Sequence, residues 1–310
     1  MNAPTLDAPA LPRWIARDFP FRRRTVELGD YRVHVVDEPA PISTDLSIVL
    51  FHGNPTWSYL WRKVIAQLIE RRVPARIIAP DLLGCGLSDK LARSGEHRLT
   101  RHIDVMRRTL DALGVERAVV CGQDWGGPIG MGVAKSLDAR GALAGLVLAN
   151  TAVVTPARPM RPTSFHRFAR RPIVSDLAFR LFLFPVPVMH MTQGARESLG
   201  LRERAVYAWP FRRLRDRATA LGLARMVPDR EDHPSMATLD EIGAWIESYR
   251  GPVELVWGER DPILGRSLAR HERALPQARV TRTQAGHFLQ EEVPGELADA
   301  IGRIVATLSR

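Results

Sequence analysis

The stretch that decides the fold is residues 118–127, which read Ala118-Val119-Val120-Cys121-Gly122-Gln123-Asp124-Trp125-Gly126-Gly127. An apolar run leads into Asp124, small residues flank it on both sides, and a helical pattern follows over 127–137. A sharp turn from strand to helix strains the backbone and exposes the side chain at the turn, and glycines let neighbouring backbone approach. The pattern predicts that the turn presents the carboxylate of Asp124, although an aspartate that caps a helix has a similar local sequence.

Short apolar runs that alternate with longer amphipathic runs surround this unit. Such alternation is typical of a mostly parallel sheet with both faces covered, and a hairpin signal at Gly29-Asp30 adds antiparallel strands at the start. The predicted strands are 23–28, 32–37, 47–51, 76–79, 118–121, 145–149, 253–257 and the weaker 278–282; the predicted helices are 59–71, 100–113, 127–137, 263–273 and 294–308.

Residues 151 to about 248 break the alternation, because they contain many prolines and helical segments such as 175–184 and 196–207 but no convincing strand. A connection of this length is too long to be structureless in a compact domain. We expect a helical insertion over the carboxyl edge of the sheet, where open α/β sheets bind ligands. The expected division is an N-terminal extension over 1–20, a core domain over 21–150 and 249–310, and a helical cap domain over 151–248.

The composition is that of an ordinary globular protein. Of the 310 residues, 45% are hydrophobic and 25% are charged, which excludes a disordered or fibrous chain. No apolar run approaches the ~20 residues that a membrane span needs, and residues 1–13 lack the features of a signal peptide. Two cysteines, Cys85 and Cys121, cannot form a disulfide framework or a metal cluster. We expect a soluble, cytoplasmic protein with no membrane partner.

The formal net charge of +10 is concentrated in one part of the chain. Residues 155–230 contain 15 Arg, no Lys and 5 acidic residues, an excess equal to that of the whole sequence. Apolar residues interrupt these arginines at helical spacing, as over 204–221, which favours solvated helix faces over a nucleic-acid surface. We therefore expect no nucleic-acid partner. The sequence leaves open whether this segment serves self-association, as in a homo-oligomer, or an acidic partner.

Two further candidate residues stand at the ends of later predicted strands. Asp261 follows the strand 253–257, and His287 lies between the weak strand 278–282 and the last helix. Singly, Asp261 fits an Asx-Pro turn and His287 an ordinary structural histidine. Together with Asp124 they give the order nucleophile, acid, histidine of α/β-hydrolase triads. A carboxylate is ionised at neutral pH, so Asp124 suits attack on an electrophilic carbon, which leaves an ester for water to cleave.

The loop after the first buried strand reads Phe51-His52-Gly53-Asn54-Pro55-Thr56-Trp57. In this fold one oxyanion-hole N–H comes from this loop and the other from the residue after the nucleophile, here the backbone amides of Asn54 and Trp125. Their side chains add an amide N–H₂ and an indole N–H, two neutral donors that suit a departing halide. The alternative is that Asn54 stabilises a turn and Trp125 only packs.

The same loop continues as Ser58-Tyr59-Leu60-Trp61-Arg62, and a later loop reads Asp81-Leu82-Leu83-Gly84-Cys85-Gly86-Leu87-Ser88-Asp89-Lys90. With these segments and the turn at 122–127, the chain resembles the haloalkane dehalogenase family over most of 25–150 and 250–305. The resemblance implies an α/β-hydrolase fold. It also implies roles for five residues: Asp124 as nucleophile, His287 as base, Asp261 as orienting acid, and Asn54 and Trp125 as halide ligands.

The resemblance implies hydrolytic dehalogenation without cofactor or metal, in which a small apolar halogenated substrate and water give an alcohol, a halide ion and a proton. A common branch of the family places the acid, as Glu, after the strand that ends near Ala149, whereas this chain has Asn150 there. The acid role then passes to Asp261. That arrangement, with Asn54 as second halide ligand, resembles the third subfamily.

Three alternatives share parts of this pattern. Epoxide hydrolases of this fold usually place two tyrosines in the cap, whereas only Tyr207 of the four tyrosines lies well inside the insertion. Cofactor-independent oxygenases of the coelenterazine-luciferase kind resemble the same family, but their acid is usually the earlier Glu. A binding or scaffold protein on this fold has no use for the three catalytic groups together.

Overall fold

A computed structural model of the protein describes residues 4–155 and 163–308. In these ranges nine strands form one sheet: β1 (Thr5–Asp7), β2 (Arg23–Glu27), β3 (Arg32–Glu38), β4 (Leu46–Phe51), β5 (Arg76–Pro80), β6 (Arg117–Asp124), β7 (Leu143–Thr151), β8 (Val253–Gly258) and β9 (Arg279–Thr283). Their order is β1-β2-β3-β5-β4-β6-β7-β8-β9. The pairs β1–β2, β2–β3 and β3–β5 are antiparallel, and the other five pairs are parallel. The predicted mostly parallel sheet with an antiparallel start is confirmed.

Helices cover both faces of this sheet and fill the predicted cap. The α-helices of the described ranges are α1 (Arg13–Ala16), α2 (Arg62–Glu70), α3 (Leu99–Ala112), α4 (Gly126–Asp138), α5 (Ser164–Ala169), α6 (Val174–Leu181), α7 (Leu201–Ala208), α8 (Ala218–Met226), α9 (Met236–Ser248), α10 (Leu268–Ala274), α11 (Leu289–Glu292) and α12 (Pro294–Leu308). Short 3₁₀ turns lie at Ser58–Trp61, Ser94–Glu96, Val186–Thr192, Arg196–Leu199, Trp209–Phe211, Leu214–Arg217 and Gly265–Ser267.

Alternation along β4 divides the core into two layers. Ile48 and Leu50 pack on the face that α2 and α12 cover, whereas Val49 and Phe51 pack on the face that α3 and α4 cover. All six residues of β4 are buried, as expected for a strand covered on both sides. Phe51 lies opposite Gly122 of β6 in parallel register. The carboxyl ends of the two strands therefore meet at one edge of the sheet.

Helix boundaries in the insertion differ from the prediction where the backbone breaks. The helix predicted over 175–184 ends at Leu181, because Leu183 has a positive φ of 51° and a proline follows two residues later. The helix predicted over 196–207 is interrupted at Gly200 into a 3₁₀ turn and α7. These breaks turn the expected long helices into short segments.

The packing of two elements bears on the expected domain limits, which remain predictions. In the N-terminal segment, β1 pairs with β2, and Ile15 and Phe19 are buried. The last helix of the insertion, α9, packs against α4. Both observations favour a core drawn more widely than 21–150 and 249–310. No single helix in the described ranges is long and apolar enough to cross a membrane; α6 and Val186–Thr192 pass that test only as a pair bent by 95°.

A buried ionic cluster joins α2, α7 and α11. The guanidinium of Arg62 donates to both carboxylate oxygens of Glu291 at 2.6 and 2.8 Å, and the hydroxyl of Tyr207 donates to the same carboxylate at 2.6 Å. Lys63 lies 3.0 Å from it. Burial alone would raise the pKa of Glu291, but Arg62, Lys63 and Tyr207 hold it below its ordinary range. The cluster fixes α7 of the insertion to the core.

Replacing Tyr207 by Phe removes only the hydroxyl that donates to Glu291. We expect Tyr207→Phe to lower the free energy of unfolding by about 1.5–3 kcal/mol, because the lost bond is to a buried charged acceptor. Urea denaturation followed by circular dichroism measures this change. Tyr31→Phe, at a partly exposed ring between β2 and β3, is the control and should change it by less than about 0.5 kcal/mol. Equal stability of the two variants would contradict the expected role of the cluster.

Candidate active site

The strand–turn–helix unit predicted from the sequence is present, with Asp124 ending β6 and Gly126 opening α4. The backbone of Asp124 has a φ of 51°, a left-handed conformation that costs a residue other than glycine on the order of 1–3 kcal/mol. A Cβ on Gly122 would lie 2.4 Å from the carbonyl oxygen of Gly126, and a Cβ on Gly126 would lie 2.2 Å from that of Phe51. The turn therefore requires glycine at both positions.

The loop after β4 closes on the carboxylate of Asp124. The backbone N–H of Asn54 donates to Oδ1 of Asp124 at 2.7 Å, and the backbone N–H of Trp125 lies near enough to this carboxylate to lower its pKa. A Cβ on Gly53 would lie 2.3 Å from the Cβ of Asp124, so only glycine allows the loop to approach this closely. Two backbone donors thus face the group that the sequence singles out.

His287 and Asp261 complete a line of three side chains that starts at Asp124. Nε2 of His287 lies 3.7 Å from Oδ2 of Asp124, and Nδ1 of His287 lies 2.9 Å from Oδ2 of Asp261. The other oxygen of Asp261 accepts the backbone N–H of Ile263 at 2.7 Å. Asp261 and His287 are buried, and Asp124 is largely so. The structure therefore brings together three residues that the sequence separates by up to 163 positions.

The pKa values of Asp124 and His287, which face each other, are both raised, but for different reasons. Burial raises the pKa of Asp124, and His287 with the two backbone N–H groups offsets only part of this rise. Burial alone would lower the pKa of His287, but the charge and hydrogen bond of Asp261 and the charge of Asp124 outweigh it and hold the pKa above its ordinary 6.5. Asp261 therefore stabilises the protonated ring that forms when His287 accepts a proton.

A segment of the insertion holds the loop that carries His287. The backbone N–H of His287 donates to the carbonyl oxygen of Thr192 at 2.9 Å. The side-chain amide of Gln193 accepts the N–H of Phe288 at 2.9 Å and donates to its carbonyl at 3.2 Å, and Gln123 donates to the carbonyl of His287 at 3.0 Å. Sequence reasoning missed these residues, because isolated glutamines and threonines in an irregular segment carry no motif.

Asn150 joins the two loops that carry Asp261 and His287. Its Nδ2 donates to the carbonyl of Gly286 at 2.8 Å, and its Oδ1 accepts the N–H of Gly258 at 2.8 Å. The residue is fully buried, with a positive φ of 31°. The sequence alone indicates only that Asn150 stands where a common branch of the family has its catalytic Glu. The structure shows that the amide positions the backbone on both sides of the acid–histidine pair.

Asn54 and Trp125 border the carboxylate of Asp124. The amide nitrogen of Asn54 donates to the carbonyl of Ala220 in α8 at 3.0 Å, which brings the insertion over the site. An amide nitrogen carries two N–H groups, and the bond to Ala220 engages one of them. Trp125 is 7% exposed and packs in the core layer with α4. Both residues thus adjoin Asp124 through their backbone, and the role of their side chains as halide ligands stays a prediction.

The loop that starts at Asp81 supports the Asn54 loop from behind. Buried Asp81 accepts the backbone N–H groups of Ser58 and Leu87, both at 2.7 Å, and lies 2.8 Å from Nδ1 of His34. Burial would raise the pKa of Asp81, but the neighbouring histidine and the backbone donors hold it well below its usual range. The aspartate of this sequence motif therefore connects two loops and lies outside the line of three side chains.

The two cysteines lie apart from this chemistry. Cys85 and Cys121 are free and buried, and burial raises the pKa of Cys85 to about 12. A thiol with so high a pKa stays protonated and is a poor nucleophile. Within residues 4–155 and 163–308, no group of three or more His, Cys, Asp or Glu side chains could hold a metal ion.

Comparison with known sequences identifies the relatives of this chain. Residues 47–294 match the alpha/beta hydrolase fold family. A haloalkane dehalogenase from Mycobacterium marinum is 33% identical over 300 residues, which cover 91% of this chain and 93% of the relative. Haloalkane dehalogenase 2 from Mycobacterium tuberculosis is 32% identical over 303 residues, which cover 91% of this chain and 94% of the relative.

Solved structures show the same architecture. Haloalkane dehalogenase DbeA from Bradyrhizobium elkani USDA94 matches with a TM-score of 0.80 at 23% identity, over 93% of this chain and 98% of that chain. The tetrameric haloalkane dehalogenase DpaA from Paraglaciecola agarilytica NO2 matches with a TM-score of 0.75 at 22% identity, over 96% and 97%. At these identities the structures establish the α/β-hydrolase fold, and the more similar sequences establish the family. The chain belongs to the haloalkane dehalogenase family.

Proposed function

We propose that the protein hydrolyses the carbon–halogen bond of small apolar halogenated alkanes through a covalent ester on Asp124. The observation that carries the proposal is a carboxylate at the strained turn between β6 and α4, 3.7 Å from a buried histidine. A serine at this place would need a base before it could attack, whereas a carboxylate is itself a nucleophile. Membership of the haloalkane dehalogenase family supports this reaction.

The first step is displacement of the halide. A carboxylate oxygen of Asp124 attacks the carbon that bears the halogen, the carbon–oxygen bond forms, and the carbon–halogen bond breaks with its electron pair on the halide. We assign the side chains of Asn54 and Trp125 to bind the departing halide, because both carry neutral N–H donors on residues whose backbone adjoins Asp124. The product of this step is an alkyl ester of Asp124.

The second step is hydrolysis of that ester. His287 takes a proton from water, and the resulting hydroxide attacks the carboxyl carbon of Asp124. The backbone N–H groups of Asn54 and Trp125 face this carboxyl group and stabilise the tetrahedral oxyanion. Collapse breaks the bond between the carboxyl carbon and the alkoxy oxygen, and the alkoxide takes the proton of the added hydroxyl, which releases the alcohol and restores the carboxylate of Asp124. His287, held by Asp261, then passes its proton to solvent, so the balance is one alcohol, one halide ion and one proton.

An epoxide hydrolase is the leading alternative, since it also uses an aspartate nucleophile. That reaction needs acids that protonate the opening oxygen, a role for tyrosines of the cap. The hydroxyl of Tyr207, the tyrosine well inside the insertion, donates instead to Glu291 in the buried ionic cluster. Its pKa is raised well above the ordinary value by burial and by the negative charge of Glu291. This placement favours dehalogenation.

Removal of the nucleophile tests the reaction class. We expect Asp124→Ala to abolish halide release from 1-bromobutane, because no ester can form, whereas Asp104→Ala on the exposed side of α3 should behave like the wild type. Halide release measured by a chloride- and bromide-sensitive assay gives the rates. In His287→Phe, the ester should form but persist, and mass spectrometry should find a butyl group on Asp124. Halide release that survives Asp124→Ala would overturn the proposal.

The pH dependence tests the pairing of His287 with Asp261. His287 must be neutral to act as a base, so we expect activity to fall as pH decreases through its pKa, which lies above 6.5. In Asp261→Asn the supporting charge is lost while burial remains, so this acid limb should move to lower pH. The rate at the optimum should also fall, by roughly 10²–10⁴-fold. An acid limb that moves to higher pH, or stays fixed, would contradict the assignment.

The amide of Asn54 is expected to act in the first step only. In Asn54→Ala the backbone N–H remains but the side-chain donor is lost, so ester formation should slow by about 10²–10³-fold while ester hydrolysis is little changed. Single-turnover measurements of halide release and of ester decay separate the two rates. Thr219→Val, which removes another bond between α8 and the core, is the control for a disturbed insertion. Equal slowing of both steps would argue against halide binding by Asn54.

A further inference from the structure

The outer side of α6 exposes a cluster of apolar side chains. Five residues in this helix and beside it are at least half exposed, and the outermost two are 73% and 71% exposed: Ile173, Val174, Leu177, Leu181 and Phe182. Single exposed apolar residues are ordinary on a protein surface, whereas a contiguous patch marks a site of interaction. We therefore examine this cluster as a candidate interaction surface.

The exposed residues share one face of the helix. Val174, Leu177 and Leu181 follow one another at spacings of three and four residues, which places them in a single stripe at 3.6 residues per turn. Ser175 and Phe179, on the other side of α6, are fully buried, and α6 packs there against α8. The core-facing side of the helix is thus already occupied, and the apolar stripe is a second, outward side.

Arginines border this stripe. The 3₁₀ turn Leu214–Arg217 packs against α6, and the guanidinium of Arg217 donates to the carbonyl oxygens of Arg180 and Leu181 at 2.8 and 3.1 Å. This turn adds a further exposed leucine at its start. Around that leucine the chain exposes Arg212, Arg213 and Arg215. We call α6, its flanking residues 173 and 182, and the segment 212–217 the α6 surface.

The α6 surface keeps a net positive charge, because its two acidic side chains are each already paired with an arginine. Asp176, the acid within α6, is paired with Arg225 at 2.8 Å, and Asp216 lies 3.8 Å from Arg215. Asp216 is mostly buried, whereas the side chain of Arg215 is 73% exposed. The outward face therefore combines exposed apolar groups with exposed guanidinium groups. It lies within the part of the sequence that carries the whole excess of positive charge.

We propose that the α6 surface docks the protein on an anionic lipid membrane, with the apolar stripe at the boundary of headgroups and acyl chains. A lipid surface offers apolar depth to the stripe and negative headgroups to the arginines at the same time. A second copy of the chain would bring two positively charged surfaces together in a two-fold contact. A nucleic-acid backbone would satisfy the arginines but leave the stripe without a partner.

Docking of this kind needs no membrane-spanning helix. The expectation from the sequence that no membrane is a partner rested on the lack of a span, and interfacial binding depends on exposed apolar area and charge instead. The proposal goes beyond the dehalogenase activity and does not rest on it. A protein inactive on haloalkanes would still bind vesicles through this surface.

Vesicle sedimentation tests the proposal with the full-length protein. The protein is mixed with vesicles of phosphatidylcholine alone or of phosphatidylcholine with phosphatidylglycerol, and the bound fraction is measured after centrifugation. We expect binding to the anionic vesicles at low salt, at least about tenfold weaker binding to the neutral ones, and a marked loss near 0.5 M salt, where charges are screened within about 4 Å. Protein that stays in the supernatant with anionic vesicles at low salt would overturn the proposal.

Paired variants assign the binding to the α6 surface. The double variant Leu177→Ser with Phe182→Ser should weaken binding to anionic vesicles at least about tenfold. The matched control is Ile42→Ser with Ile69→Ser, which changes two surface-exposed isoleucines outside the insertion. This control should bind like the wild type. Thermal melting confirms that each variant is folded. Undiminished binding by the first variant would show that the stripe is not the docking site.

A separate pair of double variants tests the contribution of the arginines. Arg213→Gln with Arg215→Gln should weaken binding several-fold, whereas Arg213→Lys with Arg215→Lys keeps the charge and should retain it. Light scattering at matched concentrations examines the competing occupant. A dimer or larger assembly that dissociates in the Leu177→Ser, Phe182→Ser variant would assign the stripe to a second copy of the chain and overturn the membrane proposal.

A fluorescent probe on the stripe reports directly whether the stripe enters the membrane. Because both native cysteines are buried, a thiol introduced by Phe182→Cys can be labelled selectively with an environment-sensitive fluorophore. We expect its emission to shift to the blue on addition of anionic vesicles, since the probe leaves water. The same label introduced by Ile42→Cys should not shift. Equal behaviour of the two probes would contradict insertion of the stripe.

Discussion

The strained backbone at Asp124 is the constraint on which the rest of the site depends. A residue with a side chain is held at φ 51° because the structure fixes it from several directions. The hydroxyl of Thr151 donates to the carbonyl of Asp124 at 2.7 Å, and a Cβ on Gly127 would lie 1.8 Å from that hydroxyl. The helix can therefore start close to the sheet, and the carboxylate projects beyond its edge. Parallel register from β4 to β9 then brings the loops of Asn54, Asp261 and His287 to the same edge.

The position of the acid and the position of the amide depend on each other. Asn150 satisfies a carbonyl and an N–H on the two loops around His287. A carboxylate at that place could accept the N–H of Gly258 but could not donate to the carbonyl of Gly286. With a neutral bridge at 150, the negative charge that supports His287 comes from Asp261. Its second oxygen is satisfied by the N–H of Ile263, so the buried charge has a partner on each side.

Much of the fold and of the site could be predicted from the sequence, because the evidence there is local. Buried strands are short apolar runs, and Asp124 and Asp261 come at the ends of two of them, whereas His287 follows the weaker, half-exposed β9. The supports of the site are not local. Gln193 meets Phe288 across 95 positions, and Tyr207 meets Glu291 across 84, so only tertiary packing reveals them. The end of α6 escaped prediction because Leu183, a residue without a distinctive sequence signal, has a positive φ, whereas the break at Gly200 depends on an extended glycine that sequence periodicity alone does not reveal.

The insertion is attached to the site on one side and faces outward on the other. Its helix α8 bonds the Asn54 loop through Ala220 and the later loop through Thr219. Immediately before α8, Arg217 bonds the backbone of α6. The outward stripe and the lining of the site therefore belong to one connected unit. Haloalkanes are apolar and concentrate in lipid, so a cap that rests on a membrane would connect the loops around Asp124 to the phase that holds such compounds.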